Sequence, residues 1–423
     1  MSERVVASYD IETAYPLEAA AAAMAGEQST GTFTRVPGET DAMRAAHGAR
    51  VERIVETGER RTPALPGAGA PESAGAMPVI RRAEVELSWP ISNMGPSLPN
   101  LLATVAGNLF ELRQFSALRL LDLTLPPAFA EAYLGPQYGI TGTRRLSGVA
   151  EGPLIGTIIK PSVGLTPEAT AAAVRGLVAG GIDFIKDDEL QGDGPHNPLA
   201  ARIAAVMPVI EDGAARAGRK VMYAFNITGG IDDMLRGHDR VLAAGGTCVM
   251  VSLNSIGLPG LDHLRRHSQL PIHGHRNGWG LYGRSPDIGM SYLAYQKFWR
   301  LAGADHMHVN GLRNKFCEDD ASVIASARAC LTPLFAPPAK DCVVMPVFSS
   351  GQTAAQAADT YAALGSTDLI YCCGGGVVAH PGGAAAGVAS LRQAWEAAVA
   401  GVALDDHARR HPELAQALAA FRT

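Results

Sequence analysis

From Glu151 to the C-terminus, the sequence alternates regularly between short apolar segments and Ala-rich helical segments. We predict eight strands in this part, with helices between them, at 154–159, 182–186, 221–226, 248–253, 270–275, 305–308, 343–347 and 369–373. Thr166-Pro167-Glu168 is a typical helix start, with an N-cap, a proline in the first turn and an early acid. Eight strand–helix units over about 250 residues predict a (β/α)8 TIM barrel, with its active site at the carboxyl ends of the strands.

The first 140 residues do not follow this alternation and predict a separate α+β domain. Strand-like stretches cover 4–9, 82–89 and 118–125, and helix-like stretches cover 17–26 and 100–110. We expect a surface loop at 62–76 and a linker at 135–148. The predicted domains are therefore 1–140 and 141–423, with a terminal helix at 405–421 on the outside of the barrel.

The composition narrows the class of protein. Hydrophobic residues make up 47% and charged residues 18% of the 423 residues, as expected for an α/β enzyme with a large core. The net charge of -5 gives no basic surface for nucleic acid. No apolar run is long enough to span a bilayer, and the N-terminus lacks a signal pattern. The six cysteines lack metal-finger spacing, so we expect reduced thiols in a cytoplasmic protein.

Polar side chains cluster where the predicted strands end. The second strand ends in Lys186-Asp187-Asp188-Glu189, and Mg²⁺ typically binds one or two carboxylates plus substrate oxygens. A solvated loop with a Lys–Asp salt bridge is the simpler interpretation of this stretch alone. Further polar or Gly-rich groups follow six other strands and favour a site at this rim: Lys160, Asn226, His273 to Arg276, His306 to His308, Ser349 to Gly351, and Gly374 to Gly376.

These motifs resemble the RuBisCO large-chain superfamily, and specifically its RuBisCO-like branch. The matching stretches occur in family order along nearly the whole chain: 27–33, 107–108, 156–161, 181–189, 273–276, 305–308, Lys315, 349–351, 374–376 and 380–381. The resemblance implies a ferredoxin-like N-terminal domain before the barrel and a head-to-tail homodimer. Glu27, Thr32 and Asn108 of one subunit would complete the partner's site.

The resemblance also implies the chemistry of the metal. Lys186 would take up CO₂ as a carbamate, which turns a repelling ammonium into an oxygen ligand. The carbamate would hold Mg²⁺ together with Asp188 and Glu189. Lys160 would move protons at the substrate carbon, although a surface lysine is the alternative.

Other rim residues would contact the substrate, a small sugar phosphate. His275 and Lys315 would take part in catalysis, while Arg276 and His308 would bind phosphate or an oxyanion; packed core histidines are the alternative for His275 and His308. Backbone N–H groups of Gly374, Gly375 and Gly376 would cradle a phosphate, with Ser349 and Gly351 beside them. The glycine triplet alone would equally fit a plain turn.

Departures from the family motifs narrow the expected reaction. CO₂-fixing members have Lys-Pro-Lys where this chain has Lys160-Pro161-Ser162, so we exclude bisphosphate carboxylation. Phe33 and Ser350 replace a tryptophan and a glycine, which suggests a pocket for a single phosphate. We expect an Mg²⁺-dependent decarboxylase of a phosphorylated β-keto sugar acid of the 3-oxo-isoapionate-4-phosphate type, acting through an enediolate.

Three alternatives remain open from the sequence. The same substrate would serve a transcarboxylase/hydrolase. Enolisation or isomerisation of a methylthio-sugar phosphate is a different reaction class, but Asn108 stands where that branch typically has a lysine base. A sensor or binding protein that kept the fold would not need a proton carrier together with metal ligands.

Overall fold

The computed structural model describes residues 3–31, 36–72 and 78–421, so the predicted substrate contact Thr32 and its neighbour Phe33 lie outside the described residues. The described chain contains these strands: β1 (Arg4–Thr13), β2 (Arg50–Arg60), β3 (Ile80–Pro90), β4 (Phe115–Thr124), β5 (Leu154–Ile158), β6 (Phe184–Lys186), β7 (Met222–Asn226), β8 (Cys248–Ser252), β9 (Ile272–His275), β10 (Ile288–Met290), β11 (His306–His308), β12 (Met345–Phe348) and β13 (Ile370–Cys372).

The α-helices are α1 (Leu17–Glu27), α2 (Asp41–His47), α3 (Leu98–Ala106), α4 (Ala128–Ala132), α5 (Gly139–Ser147), α6 (Pro167–Ala179), α7 (Leu199–Ala217), α8 (Ile231–Ala243), α9 (Leu253–His267), α10 (Gly280–Gly283), α11 (Tyr292–Ala302), α12 (Asp320–Leu331), α13 (Ala357–Leu364), α14 (Gly375–Val378), α15 (Gly383–Ala400), α16 (Leu404–Ala408) and α17 (Pro412–Phe421). Short 3₁₀ turns occupy Ile91–Asn93, Asn108–Glu111 and Ala354–Gln356.

The chain forms two compact units, one of residues up to Tyr133 with Gly278–Phe298, the other of Leu134–Asn277 with Trp299–Thr423. The first unit contains a five-stranded sheet in the order β10-β4-β1-β3-β2. Strands β4, β1, β3 and β2 pair antiparallel, and β10 adds in parallel to β4. With α1 after β1 and α3 after β3, the first four strands have the expected ferredoxin-like β-α-β-β-α-β connectivity.

Alternate side chains of β1 face the core of this unit. Val5, Ala7, Tyr9 and Ile11 are fully buried, as the period of two in a strand requires. The Tyr9 hydroxyl donates to the carbonyl of Val105 over 2.7 Å, so the sheet is tied to α3. Strand β2 was not predicted, because nearly all its residues are exposed and it lacks an apolar alternation.

All eight strands predicted for the second unit are present and close into a parallel barrel in the order β5-β6-β7-β8-β9-β11-β12-β13. Their inner side chains fill the barrel with apolar residues, such as Leu154, Phe184, Met222, Met250 and Ile370. The expected start of α6 is confirmed, since the Thr166 hydroxyl accepts the N–H of Ala169 over 3.2 Å.

The expected linker at 135–148 is wrong. This stretch forms α5, whose residues Gly139, Gly142, Thr143 and Ser147 are buried. The carboxylate of Asp305 accepts the N–H groups of Tyr138, over 2.6 Å, and Gly139, over 2.9 Å, and so fixes the start of this helix. The small residues that suggested a flexible connection instead allow close packing on the barrel.

Other boundaries differ in detail from the prediction. The helix expected at 100–110 ends at Ala106, and a 3₁₀ turn follows it. The predicted terminal helix is two helices, α16 and α17, and α17 is held to α15 by a hydrogen bond from Gln393 Nε2 to Glu413 Oε2 over 2.9 Å. No pattern in the sequence indicated that 278–298 would join the first unit. The domain boundary near residue 140 stays a prediction.

All six cysteines are free thiols, and five of them are buried. In the described part of the chain, none of the helices combines the length and apolarity needed to cross a membrane.

Candidate active site

The barrel brings most of the predicted site residues to one rim. Four of these residues end a strand: Lys186 ends β6, Asn226 ends β7, His275 ends β9 and His308 ends β11. Others come within two residues of the ends of strands β5, β12 and β13, namely Lys160, Ser349 and Gly374. Parallel strands of a closed barrel all end at the same face, so these groups share one mouth.

Two lysines and two carboxylates form the centre of this rim. Lys160 Nζ lies 2.5 Å from Asp188 Oδ2 and 2.9 Å from the Ser162 hydroxyl oxygen. Lys186 is completely buried, and its Nζ lies 2.8 Å from the carbonyl oxygen of Asp187 and 3.3 Å from Glu189 Oε2. An amine that is buried this fully is costly to keep charged unless it is paired.

His275 completes this cluster, with its Nε2 3.5 Å from Glu189 Oε2. Burial, and after it the charge of Lys186, lower the pKa of His275 to about 4, so the ring is neutral at pH 7. Burial alone would raise the pKa of Glu189, but the charges of His275 and Lys186, with hydrogen bonds from Lys186 and the Glu189 backbone, lower it to about 2. Glu189 is therefore ionised at pH 7.

The Asp187 carboxylate points away from this cluster and is hydrogen-bonded to residues on the other side of the strand. Its carboxylate accepts hydrogen bonds from Arg202 Nε over 3.0 Å, the Tyr223 hydroxyl over 2.6 Å and the backbone N–H of Asn226 over 2.9 Å. The sequence analysis did not assign this role, although the alternation of side chains in a strand points Asp187 away from Lys186 and Asp188.

Asn226 holds the turn that carries the two acids. Its Nδ2 donates to the carbonyl oxygens of Asp188 and Glu189, each over 3.3 Å. Its Oδ1 accepts from the backbone N–H and the hydroxyl of Thr228. The prediction placed Asn226 at the rim but gave it no function; the geometry makes it a positioning residue.

Three histidines lie together from the rim into the barrel, with His308 at the end of β11 and His273 and His306 deeper inside. His273 and His306 are fully buried and His308 nearly so. The Nε2 atoms of His273 and His308 are 2.8 Å apart, and His308 Nδ1 is 3.0 Å from the Ser349 hydroxyl oxygen. Burial lowers the pKa of all three, to about 3 for His306. All three rings are therefore neutral at pH 7.

Arg276 lies at the same mouth but is paired with an acid that the sequence analysis did not single out. Its Nη2 is 2.8 Å from Glu318 Oε2, and the same oxygen accepts from Asn310 Nδ2 over 2.6 Å. A phosphate at Arg276 would therefore share the guanidinium with Glu318.

The predicted phosphate cradle consists mainly of backbone. Ser350 and Gly351 have positive φ angles of 71° and 88°. A side chain at Gly376 would place its Cβ 2.6 Å from the carbonyl oxygen of Gln352, so only glycine fits there. Gly374 caps the short helix α14, which begins with Gly375.

Lys315 is exposed, and its ammonium lies over the ring of Phe316, 5.3 Å from the ring centroid. Its backbone N–H donates to the carbonyl of Ser350 over 3.3 Å, which places this segment beside the loop after β12. Glu27 and Asn108 belong to the first unit and are exposed, Glu27 at the end of α1 and Asn108 at the start of a 3₁₀ turn.

A second group of possible metal ligands, His238, Asp239 and His267, lies away from the rim. Asp239 Oδ1 is 2.9 Å from His238 Nδ1 and 2.6 Å from His267 Nε2. His238 Nε2 accepts the backbone N–H of Gln269, so a neutral His238 carries its hydrogen on Nδ1 and donates it to Asp239. That proton occupies the position a metal would need.

Comparison with known proteins agrees with this architecture. The N-terminal domain of the ribulose bisphosphate carboxylase large chain matches residues 2–68 and 72–129, and its catalytic domain matches residues 139–421. The chain therefore belongs to the RuBisCO large-chain family, and the resemblance drawn from the motifs is confirmed.

Its similar relatives include RuBisCO-like proteins. The chain is 58% identical over 422 residues to a 3-oxo-isoapionate-4-phosphate transcarboxylase/hydrolase of Xanthobacter autotrophicus, covering 100% of both chains. It is 46% identical over 419 residues to a 3-oxo-isoapionate-4-phosphate decarboxylase of Rhizobium etli, covering 99% of this chain and 98% of the relative. The crystal structure of a rubisco-like protein from Burkholderia fungorum superposes with a TM-score of 0.91 at 46% identity, covering 98% and 99% of the two chains.

Proposed function

We propose that this protein cleaves the carbon–carbon bond to the carboxylate of a phosphorylated β-keto sugar acid, of the 3-oxo-isoapionate-4-phosphate type. The structural observation that carries the proposal is the Lys160–Asp188 contact beside the buried Lys186 and Glu189. It places the Lys160 ammonium, which can donate a proton, next to carboxylate oxygens that could bind a metal. Relatives that cover the whole chain and are named for this substrate support the choice of substrate.

The residues at the centre of the rim fit a divalent cation. Asp188 and Glu189 supply carboxylates in a buried site, and carbamylation of Lys186 would add a third oxygen donor while removing a positive charge. Mg²⁺ bound there would stabilise negative charge that develops on the oxygens of an enediolate. Lys160 contacts Asp188 and would have to swing away to make room, which its partly exposed side chain allows.

Lys160 is assigned the proton transfer. Loss of the carboxylate as CO₂ leaves its electron pair on the former α-carbon, as an enediolate. A proton added to that carbon completes the decarboxylation and leaves the neighbouring carbon as the ketone. The Lys160 ammonium, held at the mouth by Asp188 and Ser162, would supply it. Ser162 takes the place of the second family lysine, so Lys160 is not opposed by a neighbouring cation.

The fate of the carboxylate distinguishes two candidate functions. Release as CO₂ is the decarboxylation expected from the sequence, and this step makes the protein a carboxy-lyase. In the other reaction the carboxylate adds back to the second carbon of the enediolate, and one water then hydrolyses a carbon–carbon bond of that product. This reaction is favoured by the 58% identity to the Xanthobacter transcarboxylase/hydrolase, against 46% to the Rhizobium decarboxylase. On this ground we rank transcarboxylation with hydrolysis above decarboxylation. Both reactions begin with cleavage of the carbon–carbon bond to the carboxylate.

A turnover assay separates these outcomes. The protein would be incubated with Mg²⁺, bicarbonate and 3-oxo-isoapionate 4-phosphate, and the products followed by ³¹P NMR together with CO₂ release. A phosphoglycerate and glycolate pair would establish transfer and hydrolysis, whereas stoichiometric CO₂ with a tetrulose phosphate would establish decarboxylation. Unchanged substrate would overturn the proposal and leave isomerisation of a methylthio-sugar phosphate as the next reaction to assay.

We further propose that the active enzyme is a homodimer in which Glu27, Thr32 and Asn108 of each subunit complete the partner's barrel site. The support is the family resemblance, together with the exposure of Glu27 and Asn108. Glu27 and Asn108 would contact the substrate with groups that the second unit does not supply.

A further inference from the structure

A continuous row of buried polar groups runs through the barrel from the mouth to helix α5. The Ser349 hydroxyl oxygen is 3.0 Å from His308 Nδ1, and the Nε2 atoms of His308 and His273 are 2.8 Å apart. His273 Nδ1 is 3.4 Å from His306 Nδ1, and His306 Nε2 is 2.8 Å from the Thr143 hydroxyl oxygen. We call this row the histidine chain. Its two inner members, His306 and Thr143, have no part in the proposed reaction.

The direction of every hydrogen bond in the histidine chain follows from its inner end. The Thr143 hydroxyl donates to the carbonyl oxygen of Gly139, one turn earlier in α5. A carbonyl can only accept, so the hydroxyl hydrogen is used there. The Thr143 oxygen must therefore accept from His306, which places the His306 hydrogen on Nε2 and a lone pair on Nδ1.

The hydrogen positions on His273 and His308 follow from that of His306. His273 Nδ1 faces the lone pair of His306 Nδ1 at 3.4 Å, the longest contact of the chain, and two opposed lone pairs would repel. His273 thus carries its hydrogen on Nδ1 and presents a lone pair at Nε2. His308 donates to that lone pair from Nε2, so His308 Nδ1 accepts from the Ser349 hydroxyl.

The protonation state of the rings agrees with one N–H on each. His273, His306 and His308 are buried, and burial lowers the pKa of each ring. A proton added to His273 or His306 would put two N–H donors face to face across their ring–ring contacts.

The histidine chain is suited to fix the positions of hydrogens and not to conduct protons. Its inner end is a backbone carbonyl, which has no proton to give and cannot keep one at neutral pH. We propose that Thr143, His306 and His273 are positioning residues that fix the hydrogen of His308 on Nε2 and turn the Ser349 hydroxyl hydrogen away from the substrate. The Ser349 oxygen then meets the substrate as an acceptor.

This assignment changes the expected contacts at the mouth. A Ser349 hydroxyl that donates to His308 cannot donate to a phosphate oxygen, and a His308 that donates to His273 cannot do so either. The Ser350 hydroxyl donates to Asn310 Oδ1 over 2.8 Å, and its oxygen lies 3.4 Å from the Ser349 hydroxyl oxygen. His308 Nδ1, at 3.0 Å, is the nearer acceptor for the Ser349 hydrogen. The group of the substrate that meets Ser349 is therefore a hydrogen-bond donor such as a hydroxyl. Only this last statement rests on the proposed function.

The ring tautomers can be measured without substrate. Protein labelled with ¹⁵N-histidine would be examined by NMR at pH 7, with ring signals assigned from single His→Asn variants. We expect N–H on Nε2 of His306 and His308 and on Nδ1 of His273. A His308 that carries its hydrogen on Nδ1, or on both nitrogens, would overturn the proposal whatever the enzyme's substrate proves to be.

Substitution of Thr143 tests whether the hydrogen bond at the inner end of the histidine chain determines the tautomer of His308 at its outer end. Thr143→Val removes the acceptor for His306 and should change the His306 and His308 tautomers and lower kcat/KM about tenfold, the scale of a supporting hydrogen bond next to an active site. Thr143→Ser should restore both. Thr360→Val is the matched control, since Thr360 is equally buried and donates to a carbonyl one turn earlier. An unchanged His308 signal in folded Thr143→Val protein would refute the proposal.

Discussion

Lys160 Nζ contacts Asp188 Oδ2 at 2.5 Å, yet the two side chains differ greatly in exposure, 38% for Lys160 and 2% for Asp188. The acid is thus fixed by the barrel, while the lysine reaches it from the solvent side of the mouth. Such a pair can open when a metal and a substrate enter, with Asp188 staying in place and Lys160 moving. This difference in exposure fits the separate roles proposed for the two side chains, Asp188 as a metal ligand and Lys160 as the proton donor.

Replacing Lys160 should impair proton transfer and leave the metal site intact. We expect Lys160→Met to lower kcat by about 10²–10⁴-fold, the usual contribution of a positioned acid or base. Mg²⁺ binding, measured by isothermal titration calorimetry, should persist or tighten, because a competing cation has left Asp188. Lys220→Met removes a lysine that pairs with Glu211 and serves as the control. Activity of Lys160→Met close to that of the control would exclude Lys160 as the proton donor.

Replacing Lys186 should remove the metal site itself. Lys186→Met keeps the buried apolar stem but cannot form a carbamate. We expect Mg²⁺ binding in bicarbonate buffer to be lost and activity to fall at least about 100-fold, since even a partner of a metal ligand contributes about 10–100-fold. Wild-type activity should rise after preincubation with bicarbonate and Mg²⁺. Retained Mg²⁺ affinity in the variant would show that Lys186 is not a ligand.

The barrel was predictable because its strands are buried on both faces and appear as apolar runs, such as 248–252 and 343–347. The rim position of residues such as Lys186 and His275 could be predicted because each ends such a run. The sequence could not show partners that lie far apart along the chain, such as Arg276 with Glu318, or Asp187 with Tyr223. Nor could it show the return of 278–298 to the first unit, since β10 is only three residues long.

The buried histidines and Glu189 should make folding sensitive to acid. The pKa values of His275 and His306 are lowered to about 4 and about 3, mainly by burial, so between these values and about 6.5 the unfolded chain binds more protons than the folded one. The pKa of Glu189, lowered to about 2 against burial by His275 and Lys186, acts in the same direction below about 4.3.

Stability to urea should therefore be highest near neutral pH and fall as the pH drops from about 6.5, by a few kcal/mol before pH 4. Unfolding would be followed by circular dichroism across this range. His306→Asn, which removes one of these buried rings, should reduce the slope. A stability profile that is flat from pH 7 to pH 4 would contradict the neutral, buried state of these rings.

The pair of Asp187 and Arg202 should be important for stability, because both side chains are fully buried. Arg202→Met leaves the Asp187 carboxylate without its cation, and breaking a buried pair from one side typically costs about 3–5 kcal/mol. Arg216→Met breaks an exposed pair with Asp212 and should cost less than about 1 kcal/mol. Urea denaturation of both variants gives the comparison. Equal stability of the two would mean that the hydrogen bonds from Tyr223 and Asn226 suffice to hold Asp187.

Mixing two inactive variants tests whether the site is shared between subunits. Asn108→Ala damages the part of the site from the first unit, and Lys186→Met damages the barrel. In a head-to-tail dimer, a heterodimer of these chains has one site with both defects and one intact site. Random reassembly of equal amounts makes about half of all dimers heterodimers, so about a quarter of wild-type activity should return. If each site came from a single chain, no mixture would contain an intact site, and activity would stay at the level of the separate variants. Asn93→Ala alters another exposed asparagine of the first unit and should remain active alone, which would show that the effect is specific to Asn108.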